Sequence, residues 1–255
     1  MMKHRAWVAW QLANACFMSC IFSWPGFQID YLTIDLMHCG CLGTVLYLLG
    51  SVIWERFHLM KGLVTKPADT LNDILRFIKI ASKEIGQLRP PINDLVIGML
   101  TSADKQARPR IKLKAAEARH LLPCINWLLQ NLWTPTSAYE ELVMHCVKAK
   151  STFYDQLYLW DAGDMAGKEG CIKAGKRFLA LYAELAEINK HGKLYKWFPK
   201  FHLFQHLLES QIPLLGNPKA AWCYFDESNI GIASKLAASC HPSTIHRLVL
   251  TKARL

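Results

Sequence analysis

Residues 33–54, TIDLMHCGCLGTVLYLLGSVIW, limit the folds open to this chain more than any other stretch. Thr33 can cap a helix whose first turn carries Asp35 and whose body is almost wholly apolar. A helix that is apolar all round must be buried, in a protein core or in a bilayer. Asp35 and His38 are spaced so that a helix puts them on one face, within reach of a common partner. A polar pair at the mouth of a buried helix needs a chemical reason.

The core and the bilayer have to be weighed first. Residues 1–24 are basic at the start and then apolar, as in a signal peptide or an uncleaved anchor. Residues 36–54 are long enough to span a membrane. Gln11, Asn14, Asp35 and His38 argue the other way, because such groups are costly in lipid. A buried core helix has the same hydropathy, and that is the expectation taken forward, with a membrane anchor over residues 6–54 as the alternative. Nine cysteines, at 16, 20, 39, 41, 124, 146, 171, 223 and 240, are an odd number, and several fall inside apolar helical patterns. That distribution suits a reducing compartment, nuclear or cytoplasmic, better than a disulfide scaffold.

The remaining sequence reads as helices. Leu71, Ile74, Leu75, Ile78, Ala81, Ile85 and Leu88 predict an amphipathic helix from Ala68 that stops at Pro90-Pro91. Asn93 can cap a short helix through Met99. The helix leading to Trp133 contains Pro123 and is expected to kink or restart there. Ser137-Ala-Tyr-Glu140 predicts a capping box opening a helix to Trp160. After a glycine-bearing loop at 161–170, a seam from Cys171 to Ile188 predicts another helix, ended at His191-Gly192. No segment alternates like a strand, so the expected fold is mainly α, in three stretches. These are an N-terminal apolar block (1–66), a central helical region (67–197) and C-terminal helices (198–255).

Three sites stand out from the residues alone. Residues 104–119 hold the densest basic run, with Lys105, Arg108, Arg110, Lys112 and Lys114 as candidate phosphate contacts or a solvated loop. Thirty basic against 20 acidic residues, a formal charge of +10, favours an anionic partner without identifying it. His202 and His206 have the spacing to clamp zinc, but Leu203 stands where a metalloprotease would have its glutamate, so a packed histidine pair is the preferred reading. Finally, Trp222-Cys-Tyr-Phe225 runs into Asp226 and Glu227. Those acids either decorate a helix N-terminus or form a carboxylate site for a divalent metal.

Taken together, several stretches resemble the transposases of CACTA-type (En/Spm-like) elements, including their dinoflagellate-type relatives. The matches are Pro25-Gly26; Asp35-Leu-Met-His38 with Leu42-Gly43; Lys114-Ala115, Glu117, Arg119 and Leu121-Leu122; Pro199-Lys200 with His202-Leu203; and Phe225, Glu227, Ser228 and Gly231. The resemblance implies an RNase H-like DDE/D nuclease that holds two Mg²⁺ between carboxylates, with a helical insertion before the third acid. It assigns the third acid to Glu227 and a supporting D-x-x-H element to Asp35 and His38. The first two acids of the family lie on strands upstream of D-x-x-H, and the 34 residues before Asp35 are too few for those strands. The expectation is therefore the helical insertion and C-terminal part of such an enzyme, lacking most of the catalytic sheet. One carboxylate cannot hold two metals, so the chain alone is expected to be inactive and to carry no Mg²⁺. Its expected partners are DNA, through the basic surface, and the missing sheet segment or a second copy, which would cover apolar surface left on the 36–54 helix. A helical scaffold or interaction protein, with these motifs as structural relics, is the alternative of a different class.

Overall fold

The computed structural model describes residues 33–61, 66–100, 109–161 and 163–224, with helical backbone also at 232, 234, 235 and 238. Among the described residues the fold is mainly α, with no strand. The chain enters a π-helical stretch at Met37–Val45 that continues as α1 (Leu46–Lys61). There follow α2 (Pro67–Glu84), a single turn α3 (Ile97–Leu100), α4 (Ala115–Asn131), α5 (Ala138–Asp161) and α6 (Ala166–Ile188). Then come α7 (Pro199–His206), a second π turn at Leu207–Gln211, α8 (Ile212–Leu215) and a 3₁₀ turn at Pro218–Ala221.

The helix spanning Met37–Val45 and α1 is the axle of the fold. Leu36, Cys41, Val45, Leu48, Leu49 and Ile53 are fully buried. The π stretch packs against α4 and α7, and α1 against α2 and α4. Residues of all three sequence blocks share one contiguous core. Met37–Met60 is long and apolar enough to cross a membrane, and 78% of its most apolar window is buried inside the fold. That burial accounts for its hydropathy, and it corrects the expectation of a large uncovered apolar face over 36–54.

Close approach to the axle depends on glycine. A Cβ on Gly50 would lie 2.7 Å from the Ile111 nitrogen and 2.8 Å from Arg110 Cα. Its absence lets the 109–114 segment dock, with Ile111 N–H donating to the Leu46 carbonyl at 3.2 Å. A Cβ on Gly43 would lie 2.9 Å from Lys200 Cδ, so α7 also packs against bare backbone.

The helices largely follow their sequence patterns. In α2, Leu71, Ile74, Leu75, Ile78 and Ala81 are buried as their spacing predicts, but the helix ends at Glu84 and Leu88 is fully exposed. Pro123 does not interrupt α4, where Leu121, Leu122, Cys124 and Ile125 are all buried around it. The packing there outweighs the one backbone bond that proline removes. At α5 the Glu140 N–H donates to Ser137 Oγ at 3.2 Å, while the Glu140 carboxylate accepts from Thr136 N at 2.7 Å. Near the mouth of the axle, the Gln211 side chain closes a reciprocal amide pair with residue 34. Ile34 N donates to Gln211 Oε1 at 2.6 Å, and Gln211 Nε2 donates to the Ile34 carbonyl at 3.1 Å.

Candidate functional site

Asp35, and not Thr33, caps the axle. One carboxylate oxygen accepts from Met37 N at 2.9 Å, and the other from His38 N at 3.2 Å. The capping oxygen also accepts from Cys223 N at 3.4 Å, across 188 residues of sequence. His38 Nδ1 pairs with the second oxygen. The Cys223 thiol completes a group of three donors, one each from Asp35, His38 and Cys223, all within 4.8 Å of one another. Among the described residues this is the one group of three or more carboxylate, imidazole and thiol donors that could hold a metal. His38 is 46% exposed and Asp35 16%, so the group opens to solvent.

Neighbouring elements hold Cys223 in place. Asn217 caps the Pro218–Ala221 turn by accepting from Lys219 N at 2.9 Å, which aims residues 222–224 at the axle. The Arg119 guanidinium, from α4, lies over the rings of Trp222 at 5.6 Å and Tyr224 at 5.2 Å. Lys200 Nζ and Arg110 Nη2 both approach the Leu42 carbonyl, at 3.3 and 3.5 Å. Burial and the nearby Arg110 charge lower the Lys200 pKa.

The other predicted residues fall in different places. Glu227, Lys105 and Arg108 lie outside the described residues. Lys112 and Lys114 are exposed, and Arg110 stands 5.7 Å from the Tyr47 ring. His202 and His206 bring their Nε2 atoms to 3.0 Å, a hydrogen-bonded pair on α7, and they are not part of the three-donor group. The described cysteines, at 39, 41, 124, 146, 171 and 223, form no disulfide with one another.

Three features were not anticipated from the sequence. A groove of about 380 Å³ between α5 and α6 is lined by His145, Lys148, Lys173 and Arg177 with Thr152 and Gln156, and by no acid. An apolar cavity of about 450 Å³ is lined by residues including Val52, Trp54, Glu55, Tyr139 and Val143. On its wall the Glu55 carboxylate accepts from Tyr139 Oη and from the buried Tyr195 Oη, and burial raises its pKa. Third, Lys150 is fully buried, with its amine 3.4 Å from the Phe204 ring centroid and 4.6 Å from that of Phe178. Among the described residues the amine has no hydrogen-bond partner, and burial lowers its pKa from 10.5 to about 7. A lysine at 150 on the apolar seam through Cys146, Phe153 and Leu157 is a signal that sequence reading could have caught. Nothing local marks Cys223 as a neighbour of Asp35.

No protein-family model, curated protein or solved structure matches the chain.

Proposed function

We propose that the chain is the helical insertion and C-terminal part of a CACTA-type transposase, acting as a DNA-contacting module. In this reading Glu227 is the third acid, and Asp35 and His38 support the site from the axle. The observation that carries it is convergence. Residues of three of the motifs that prompted the resemblance meet at one end of the axle: Asp35 and His38 with Leu42, Lys200 on the Leu42 carbonyl, and Arg119, which lies over Trp222 and Tyr224. Glu227 follows three residues after Tyr224. Any nuclease step needs two further carboxylates beside Glu227, which also places Mg²⁺ outside the donor set described above: a thiol and an imidazole do not suit that hard ion.

The contact surface for DNA is the α5–α6 groove, with Lys112 and Lys114 as further contacts. The test is fluorescence anisotropy of a labelled duplex over a salt series. Binding should weaken linearly on a log–log plot, and replacing Lys148, Lys173 and Arg177 by Gln should flatten the slope by roughly 0.9 for each phosphate no longer neutralised. Absent or salt-insensitive binding removes the DNA module. Sequencing the transcript across the start of the reading frame tests the nuclease assignment separately, through the presence or absence of two in-frame strand-borne acids.

A scaffold reading is favoured by one further observation, that three of the described motif residues have structural tasks. Asp35 caps the axle, Lys200 holds the Leu42 carbonyl and Arg119 stacks on two rings. It requires that Glu227→Gln and the three-site groove variant alter stability alone.

A further inference from the structure

We propose that Asp35, His38 and Cys223 bind a zinc ion that fastens residues 222–224 to the mouth of the axle. A carboxylate oxygen, an imidazole nitrogen and a thiol sulfur are the three donor types that zinc takes in tetrahedral sites. With zinc–ligand bonds of about 2.0–2.3 Å, tetrahedral donors sit about 3.3–3.8 Å from one another. The three atoms here already lie within 4.8 Å of one another, so the site closes with side-chain movements of about 1 Å or less and no refolding. The Asp35–His38 contact opens slightly as the ion takes the place of the shared proton.

Two elements present these donors, each tied down by its own hydrogen bonds or ring contacts. Asp35 is fixed by its capping bonds to Met37 N and His38 N. Cys223 is fixed by its own N–H on Asp35 and by Arg119 lying over the residues on either side of it. Outer support of this kind is what orients metal ligands. The exposed side of His38 gives the ion a way in and leaves the fourth position to water. On binding, the Cys223 thiol releases one proton to solvent and coordinates as thiolate. His38 shifts its remaining proton to Nε2 and coordinates through Nδ1, so the two anionic ligands balance the charge of Zn²⁺. The fastening would hold the segment leading into Glu227 at a fixed distance from Asp35.

The zinc site depends on this geometry alone and survives or fails independently of the transposase reading. The test uses the full chain and metal alone, with no DNA. Zinc content is measured by mass spectrometry, and the zinc-free protein is then titrated with Co²⁺. The expected result is one equivalent of zinc, and a thiolate-to-cobalt charge-transfer band in the near ultraviolet. Cys223→Ala should abolish the band, and Cys124→Ala should leave it intact. Asp35→Asn keeps an oxygen for the helix cap while removing the anionic ligand, so it should weaken cobalt binding with unchanged circular dichroism. Cobalt binding without the band, or a band that persists in Cys223→Ala, overturns the proposal. So does stoichiometric zinc in a correctly folded Asp35→Asn protein that matches the parent in affinity.

Discussion

Replacing Lys150 by Met should make the protein more stable at neutral pH, and the gain should shrink as pH rises. The unfolded chain holds the Lys150 proton up to pH 10.5, whereas the folded chain releases it near pH 7, because burial penalises the ammonium. Between those values the unfolded state binds the extra proton, so unfolding becomes less favourable as pH increases. At 1.36 kcal/mol per pH unit, the part of this effect falling between pH 7 and pH 9 is about 2 kcal/mol, and the whole is about 4–5 kcal/mol. The rings of Phe153, Tyr154, Phe178 and Phe204 oppose it by attracting the cation. A desolvated cation–π attraction is worth about 2 kcal/mol, which is less than the desolvation penalty. Lys150→Met should therefore gain about 2–4 kcal/mol at pH 7. Thermal unfolding followed by circular dichroism at pH 7, 8 and 9 is the assay. The parent midpoint should climb relative to the variant by about 4–8 °C across that range. Parallel pH profiles, or a variant less stable than the parent at pH 7, would mean that the ring cage holds a charged amine, and the reasoning would fail.

Gly50→Ala should destabilise the fold by about 1–3 kcal/mol in urea unfolding, because the new methyl meets the backbone of Arg110 and Ile111. Gly98→Ala is the control: among the described residues nothing lies within 4 Å of a Cβ there, and stability should hold or rise slightly. Gln211→Ala removes both halves of the amide pair with Ile34 and should cost about 1–3 kcal/mol. Hydrogen exchange in that variant should quicken first at the mouth of the axle, around residues 34–38.

The helices were legible wherever one face alone is apolar. Leu71, Ile74, Leu75 and Ile78 recur at helical spacing, and so do Val143, Cys146, Phe153 and Leu157, because each set faces one core. Local signals failed where tertiary packing decides. Thr33 and Asp35 are both good caps on paper, and in the fold it is Asp35 that accepts from Met37 N and His38 N, with a further bond from Cys223 N far along the chain. Pro123 should break a helix, but packing on both sides of it keeps α4 continuous. The D-x-x-H pair was visible from its spacing, whereas its third donor was not, because no periodicity links residues 188 positions apart. The basic groove was hidden for a simpler reason. Lys148 and Arg177 lie on different helices, so no run of charge appears in the sequence, while the run at 104–114 does.

The placement of the axle also sets the order in which the protein can be made. Its helix leaves the ribosome before the residues that cover it, from α2 through Gln211. At about 5–20 residues per second, the roughly 150 residues between Lys61 and Gln211 take about 8–30 s to synthesise. Until then part of the apolar helix stays uncovered on the nascent chain. The cover is complete only when α7 packs on the π stretch and Gln211 pairs with Ile34 at its mouth.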